Sequence, residues 1–513
     1  MKNWLRRIAS KTGRFFWSWG FLKFLLFALT LIILLYAEED WRGARIWAAT
    51  KAKWQARGVS FDFNTYLPPP VSDDQNLIAL PLFKMEPDPD PQSVDHGYRA
   101  PLTLRRACST GFNDDTDKYP LRLGNWQAGE LPDMERVRKA VVVLYGATFP
   151  GKAVPADSLT TFAALHPFLA ELRTDSASRP LCRFEDFSPF DAPSASDLSL
   201  ITQQIALSKC LTDDAAIALE ARQPDQALAD IRLNTRIVRG LMDQTNLVSG
   251  LVSIGMVAIN FSAVYDGLAT HAWNDTQLAQ IESDLARLDF LRDYQQVMRS
   301  EAIGYVIPGI ERIKATSQQD TFDPKTGLPM KQSAAVGWPR GWLDIWEAQA
   351  CDRDLSAAEW VDRESRLFLP QALADYQAQT QEKLESWTIF LPWNWLFRVS
   401  ANNAATTALN KFAQMQVWVD EARVACALER YRLARNAYPA TLDALVPACI
   451  DEVPHDVLNG ESYHYQLHAD GTFQLYSVGW NQKDDGGKRV MKQDNPKAQD
   501  YTQGDWSWPT PKS

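Results

Sequence analysis

The chain has 513 residues, 46% of them hydrophobic and 23% charged, and a formal net charge of −10. Such a length holds about two or three domains, and such a composition excludes wholesale disorder. The acidic balance excludes nucleic acid as the main partner, because phosphate binding needs a basic surface.

Lys2, Arg6, Arg7, Lys11 and Arg14 precede the first long apolar run, with no acid among them. That run, Phe21–Ala37, covers roughly 25 Å as a helix, enough for a bilayer core, and predicts a transmembrane segment. Phe15, Phe16, Trp17 and Trp19 extend it as an aromatic belt, and Lys23 is close enough to the edge to snorkel. Glu38, Glu39 and Asp40 follow at once. Basic residues before the span and acidic ones after predict a cytoplasmic tail over 1–20 and a periplasmic ectodomain, anchored in a bacterial inner membrane. A cleaved signal peptide is the competing reading, but Leu35 stands where cleavage wants a small residue.

Residues 38–157 read as a helical stalk leading into a mixed α/β region. The stalk covers 38–58 and is closed by Gly58. Leu77–Phe83, Pro101–Arg105 and Val141–Tyr145 read as short strands or extended segments. From 158 to 405 the apolar period becomes helical. Ser158–Arg173 is predicted as helix, and Asp197–Ala221 with Pro224–Asp243 as an antiparallel pair. The alanine-rich stretch 215–230 resembles the helix crossing of a tetratricopeptide repeat, without the self-repeat of such arrays. Leu247–Leu268 is a strongly apolar helix, and Asn274 or Asp275 caps Gln277–Leu288. A polar loop occupies 316–342, and helices resume over 342–385 and 402–434. The apolar segment 387–397 is too short to span a bilayer. It reads as a crossover against the helical core or a dip into the outer leaflet.

Residues 406–490 form the most specific pattern. A long helix ends at Ala427–Leu433, Tyr438-Pro439 follows, and Thr441–Val446 is a short helix. Tyr463–Leu467 and Thr472–Val478 then pair as a hairpin about Asp470-Gly471, a dipeptide suited to a type I′ turn. Residues 491–513 read as a polar tail. The predicted fold is therefore mainly α, with one N-terminal transmembrane helix, a helical ectodomain and a small α+β C-terminal module carrying a β-hairpin.

The order of elements in 406–490, ending in Tyr476-Ser477 and Asp484-Asp485, resembles the globular domain of the major pseudopilin of type II secretion. Over its whole length the chain also resembles uncharacterised bacterial single-span envelope proteins, which carry no known activity. The pseudopilin resemblance implies a bound calcium ion, with the side chains of Ser477, Asp484 and Asp485 and the Leu475 carbonyl as ligands. An oxygen-only set suits such a hard cation; a solvated acidic turn is the alternative. Where prepilin processing requires a glutamate the chain has Leu25, so the resemblance implies a borrowed module and not a pilus subunit.

No nucleophile elbow, P-loop or zinc-protease pattern is present, and no catalytic residue is assigned. His464 and His468 share the solvent face of one strand. Six cysteines without any Cys-x-x-Cys pair leave structural bridges or free thiols, with Cys426–Cys449 the first candidate bridge. The chain reads as a membrane-anchored binding or scaffolding protein of the envelope, with protein partners there and the lipid bilayer held through 21–37. The alternative is an envelope hydrolase using core carboxylates such as Glu185, beside Asp186, and Glu301.

Overall fold

The computed structural model describes residues 19–84, 86–87, 98–99, 124–184, 195–316, 338–385, 404–493 and 499–510. In chain order the helices are α1 (Trp19–Ala56), α2 (Met134–Thr148), α3 (Ser158–Leu165), α4 (Phe168–Ser178), α5 (Ala195–Glu220), α6 (Pro224–Met242), α7 (Leu247–Ala269), α8 (Asp275–Leu285), α9 (Phe290–Ser300), α10 (Ile307–Thr316), α11 (Arg340–Ala358), α12 (Pro370–Glu385) and α13 (Ala404–Arg435). A π-helical turn, Glu301–Val306, joins α9 to α10. The strands are β1 (Glu86–Pro87), β2 (Tyr98–Arg99), β3 (Val361–Asp362), β4 (Leu367–Phe368), β5 (His464–Leu467), β6 (Phe473–Ser477), β7 (Arg489–Met491), β8 (Gln499–Gly504) and β9 (Trp506–Ser507). They pair antiparallel as β1-β2, β3-β4, β5-β6-β9 and β7-β8. The fold is mainly helical with small antiparallel sheets near the C-terminus, as the sequence predicts.

The chain divides into two units. One comprises residues 1–61, 302–355 and 379–402. Here the predicted span and stalk are a single helix: α1 has 38 residues and is roughly 57 Å long at ~1.5 Å per residue. Most side chains from Leu22 to Leu35 are exposed, and the helix is long and apolar enough to cross a membrane. Beyond that run α1 lies parallel to α11. Glu39 is buried and accepts from Arg42 (2.5 Å) and Trp342 Nε1 (3.0 Å), while Asp40 accepts from the Gly341 amide (2.8 Å). Further along, Asp352 accepts from Lys53 (2.5 Å) and from Trp54 Nε1 (2.8 Å). Between these pins Gly43 meets Gly341, and a Cβ on Gly341 would overlap the Glu39 carbonyl. The acids that the sequence presents as the membrane exit therefore also dock a second helix. In the same unit the buried Lys314 ammonium meets Glu311 (2.9 Å), Asp344 (2.7 Å) and Glu347.

The other unit comprises residues 62–301, 356–378 and 403–513. The antiparallel pair α5–α6 packs on α7, and α13 touches α7, α8 and α9 on one side and β6 on the other. Ala215, Ala218 and Ala227 are fully buried in the α5–α6 crossing, where small side chains let the axes approach. The Arg173 guanidinium ties that pair from outside, reaching Asp230 (2.6 and 2.9 Å) and Asp214. Asn274 builds a capping box with Gln277 and starts α8. One continuous core runs from Leu77 to Trp508, so the boundaries expected at 157/158 and 405/406 do not separate packed bodies.

Several expectations are corrected. Leu77–Phe83 is not a strand but two 3₁₀ turns, Leu77–Ala79 and Pro81–Phe83. Its buried side chains, Leu77, Leu80 and Phe83, recur every third residue, the 3₁₀ period. Val141–Tyr145 lies inside α2, whose buried face is Val137, Val141, Leu144 and Tyr145 and whose first turn is capped by Asp133. The β5–β6 loop is longer than a two-residue type I′ turn. Leu467 pairs with Phe473, only Gly471 of the central dipeptide has positive φ, and Asp470 accepts from the Thr472 amide (2.9 Å) and hydroxyl (2.7 Å). Within the expected polar tail, 499–510 is structured instead: β8 and β9 fold back and bury Trp506 and Trp508. Cys426 and Cys449 are buried free thiols, as are Cys182 and Cys351. Residues 101–105, 387–397 and Cys108 lie outside the described residues.

Two predictions follow from the packing. Gly341→Ala forces backbone against backbone, costs about 3 kcal/mol locally, and speeds hydrogen exchange across α11; unchanged exchange there would refute the docking. The second concerns His166, buried between Phe162 and Phe168 (ring centroids 4.4 and 6.1 Å away), where burial pushes its pKa down to about 4. Below about 6.5 the unfolded chain takes up a proton that the folded chain refuses until about 4, so stability is lost as pH falls through that window. Relative to wild type, His166→Leu gains up to about 3 kcal/mol between pH 7 and pH 4. Parallel melting profiles would contradict it.

Candidate functional site

The larger unit carries a cleft of about 750 Å³ between α7, α13, the β7–β8 hairpin and the turn at 125–128, within the usual size range of small-molecule sites. Each wall follows from local periodicity. On α7, Leu251, Ile254, Gly255 and Ala258 fall on one stripe. On α13, Lys411, Gln414, Met415 and Trp418 do the same. The β7–β8 hairpin adds Arg489, Lys492 and Tyr501. Thus the α7 wall is apolar, and cations come from the facing helix and the hairpin.

No carboxylate lines this cleft among the described residues. Lys411 lies over the Tyr501 ring (5.5 Å), and Arg489 donates to the Gln499 amide oxygen (3.2 Å). The Asp500 carboxylate on β8 is within range of the Lys492 charge: its pKa is lowered by the Thr502 hydrogen bonds and, less, by Lys492. Burial, and next the Lys492 ammonium, draw the Lys411 pKa below the ordinary lysine value; burial likewise lowers that of Arg489. The acid nearest in influence to Arg489 is Glu421, which is fully buried on α13. Burial pushes its carboxyl well above the usual range, which weakens it as a counter-charge. Gln414, 3% exposed, reaches the Tyr501 hydroxyl: burial raises the Tyr501 pKa, and the Arg489 charge and the hydrogen bond with Gln414 oppose the rise. Among the described lining residues the cleft holds three cations and no carboxylate, a charge balance that an anion relieves.

A smaller cavity of about 270 Å³ contains His271, Glu429, Arg432 and Tyr438. Its chemistry is already satisfied. The buried Glu429 carboxylate accepts from Arg432 (2.8 and 2.7 Å) and Tyr438 (3.0 Å) and meets His271 Nδ1 at 2.8 Å. Burial opposes its charge, but the hydrogen bonds from Arg432 and His271 outweigh this and hold its pKa below the ordinary value. This cluster ties the end of α13 to the end of α7.

The four residues that the pseudopilin resemblance singles out have other partners. The Leu475 carbonyl accepts from the Trp508 amide (2.9 Å), and the buried Ser477 hydroxyl accepts from the Gly479 amide (3.1 Å). Asp484 accepts from Tyr476 (3.0 Å) and the Gly486 amide (2.9 Å), and Asp485 from Asn481 (3.0 Å). The loop around them closes on the carboxylate of Asp505, which accepts from the amides of Asp485 (3.0 Å) and Gly487 (2.6 Å). No group of three or more His, Cys, Asp or Glu able to hold a metal ion occurs among the described residues. His464 is stacked on Tyr476 (4.8 Å). Of the acids considered for hydrolysis, Glu301 accepts from the Leu247 amide (2.9 Å) and caps α7, while Glu185 and Asp186 lie outside the described residues.

Sequence reasoning passed over Lys411, Gln414, Arg489 and Lys492. The available signal was the basic run Lys488–Lys492 in an acidic chain, together with a lysine on an otherwise apolar helix stripe. Compared with protein-family models, with curated proteins and with solved structures, the chain matches none.

Proposed function

We propose that this protein is a membrane-anchored binding protein whose extramembrane body captures an anionic small molecule in the cleft between α7, α13 and the β7–β8 hairpin. The observation that carries the reading is the convergence of Lys411, Arg489 and Lys492, with no carboxylate among the described lining residues, in a chain whose net charge is −10. Like charges held together in a partly buried site repel one another, and an anion that neutralises them gains what the protein's own residues leave unmet. The anchor is α1, and the basic residues before its apolar run with acids after it favour a cytoplasmic N-terminus and a periplasmic body. No described group of side chains in the cleft forms a nucleophile–base pair, which favours binding over catalysis.

Two measurements test this. Isothermal titration of the full chain in amphipol with dodecyl phosphate gives binding that Lys411→Glu/Lys492→Glu weakens by about a hundredfold, about tenfold per reversed charge; affinity unchanged by the reversal would end the proposal. For the orientation, a tag fused after Ser513 is digested by protease added to spheroplasts, whereas a tag that stays shielded in intact spheroplasts reverses the topology.

A further inference from the structure

The cleft has two chemically different sides, and their arrangement specifies more than charge. The α7 side offers Leu251, Ile254 and Ala258, with no charged group between them. Opposite stand the cations Lys411, Arg489 and Lys492. On the α7 side itself stands Gly255, in the middle of a 23-residue helix, exposed, with nothing within 4 Å of where a Cβ would lie. Glycine in a helix interior is unfavourable relative to alanine, and here no neighbouring atom demands it. What the glycine does is keep the apolar wall flat and open along the cleft, a shape with value for a bound apolar chain.

We infer that the ligand is an anionic amphiphile with a single apolar chain, its oxyanion head held by Lys411, Arg489 and Lys492, and its chain laid along Leu251, Gly255 and Ala258. This rests on the cleft being an anion site, and deepens that reading. A bare small anion satisfies the donors and leaves the α7 wall wet; a neutral lipid covers the wall and leaves the cations unmet. Only a molecule with both ends fits both sides. A protein tethered by α1 also works beside the bilayer into which such amphiphiles partition.

The test uses the full chain in amphipol, titrated calorimetrically with ethyl phosphate, dodecyl phosphate, dodecanoate and dodecanol, each below its aggregation concentration, against wild type and Gly255→Phe. Expected are dodecyl phosphate and dodecanoate binding at least about tenfold tighter than ethyl phosphate or dodecanol. Gly255→Phe fills the wall: it weakens the long-chain anions about tenfold or more, leaves ethyl phosphate within about twofold, and does not lower the melting temperature, because its Cβ enters open space. Equal affinity for ethyl and dodecyl phosphate, or long-chain affinity untouched by Gly255→Phe, overturns the amphiphile inference and leaves the anion reading standing. Dodecanol binding as tightly as dodecyl phosphate, or no binding of any anion, overturns both.

Discussion

Between Phe412 and Leu428 the helix α13 has almost no residue turned to solvent, and this burial on every side is the constraint around which the larger unit is arranged. A helix surrounded by protein must find partners for each polar group that it carries inward. Gln416 accepts from the Phe290 amide (2.8 Å) and so sets the start of α9; Arg423 pairs with Glu282 (3.0 Å) and fixes α8. Glu429 gathers His271, Arg432 and Tyr438. Each of these contacts decides where a neighbouring element sits, so α13 serves as the reference for helices on one flank and for β6 on the other. The expected separation into a helical ectodomain and a terminal module fails for the same reason: one helix is the core of both.

The cleft is a by-product of that arrangement put to use. Where α13 begins, its buried stripe carries Gln414 and is continued by Lys411 and Thr407, both exposed. The β7–β8 hairpin covers part of this opening and brings Arg489 and Lys492 with it. The site therefore depends on the last strands being folded back. Asp505 holds them: its carboxylate gathers the loop amides of Asp485 and Gly487, and its carbonyl accepts from Gln499 (3.1 Å) on β8. The acidic loop is thereby gathered on a carboxylate of the last strands.

Much of the helical architecture is legible in the sequence because its determinants are local. Apolar spacing, the Asn274 cap and the small residues of the α5–α6 crossing lie within a few residues of what they organise. The failures share a different property. Leu77–Phe83 alternates well enough for a strand, but Asn76 caps it and Pro81 restarts it, and the three-residue recurrence decides for 3₁₀ turns. Val141-Val142-Val143 is β-branched and reads as strand, yet Asp133 and a buried helical stripe outweigh the propensity. Trp506 and Trp508 sit among Gly, Asp, Pro and Thr, so their burial against β6 is invisible without the pairing partner. The candidate site is the extreme case: Lys411 and Lys492 are distant in sequence, and only the fold makes them neighbours.

The unbroken course of α1 has a mechanical consequence. Proline is absent from Trp19–Ala56, and Gly43, the glycine beyond the apolar run, is braced against Gly341. With Glu39, Asp40, Lys53 and Trp54 pinned to α11, the rod inside the lipid and the helix outside it pivot as one lever. A thinner bilayer leans such a rod over, and α11 leans by the same angle, so the thickness of the surrounding lipid is written directly into the attitude of a helix that lies outside it.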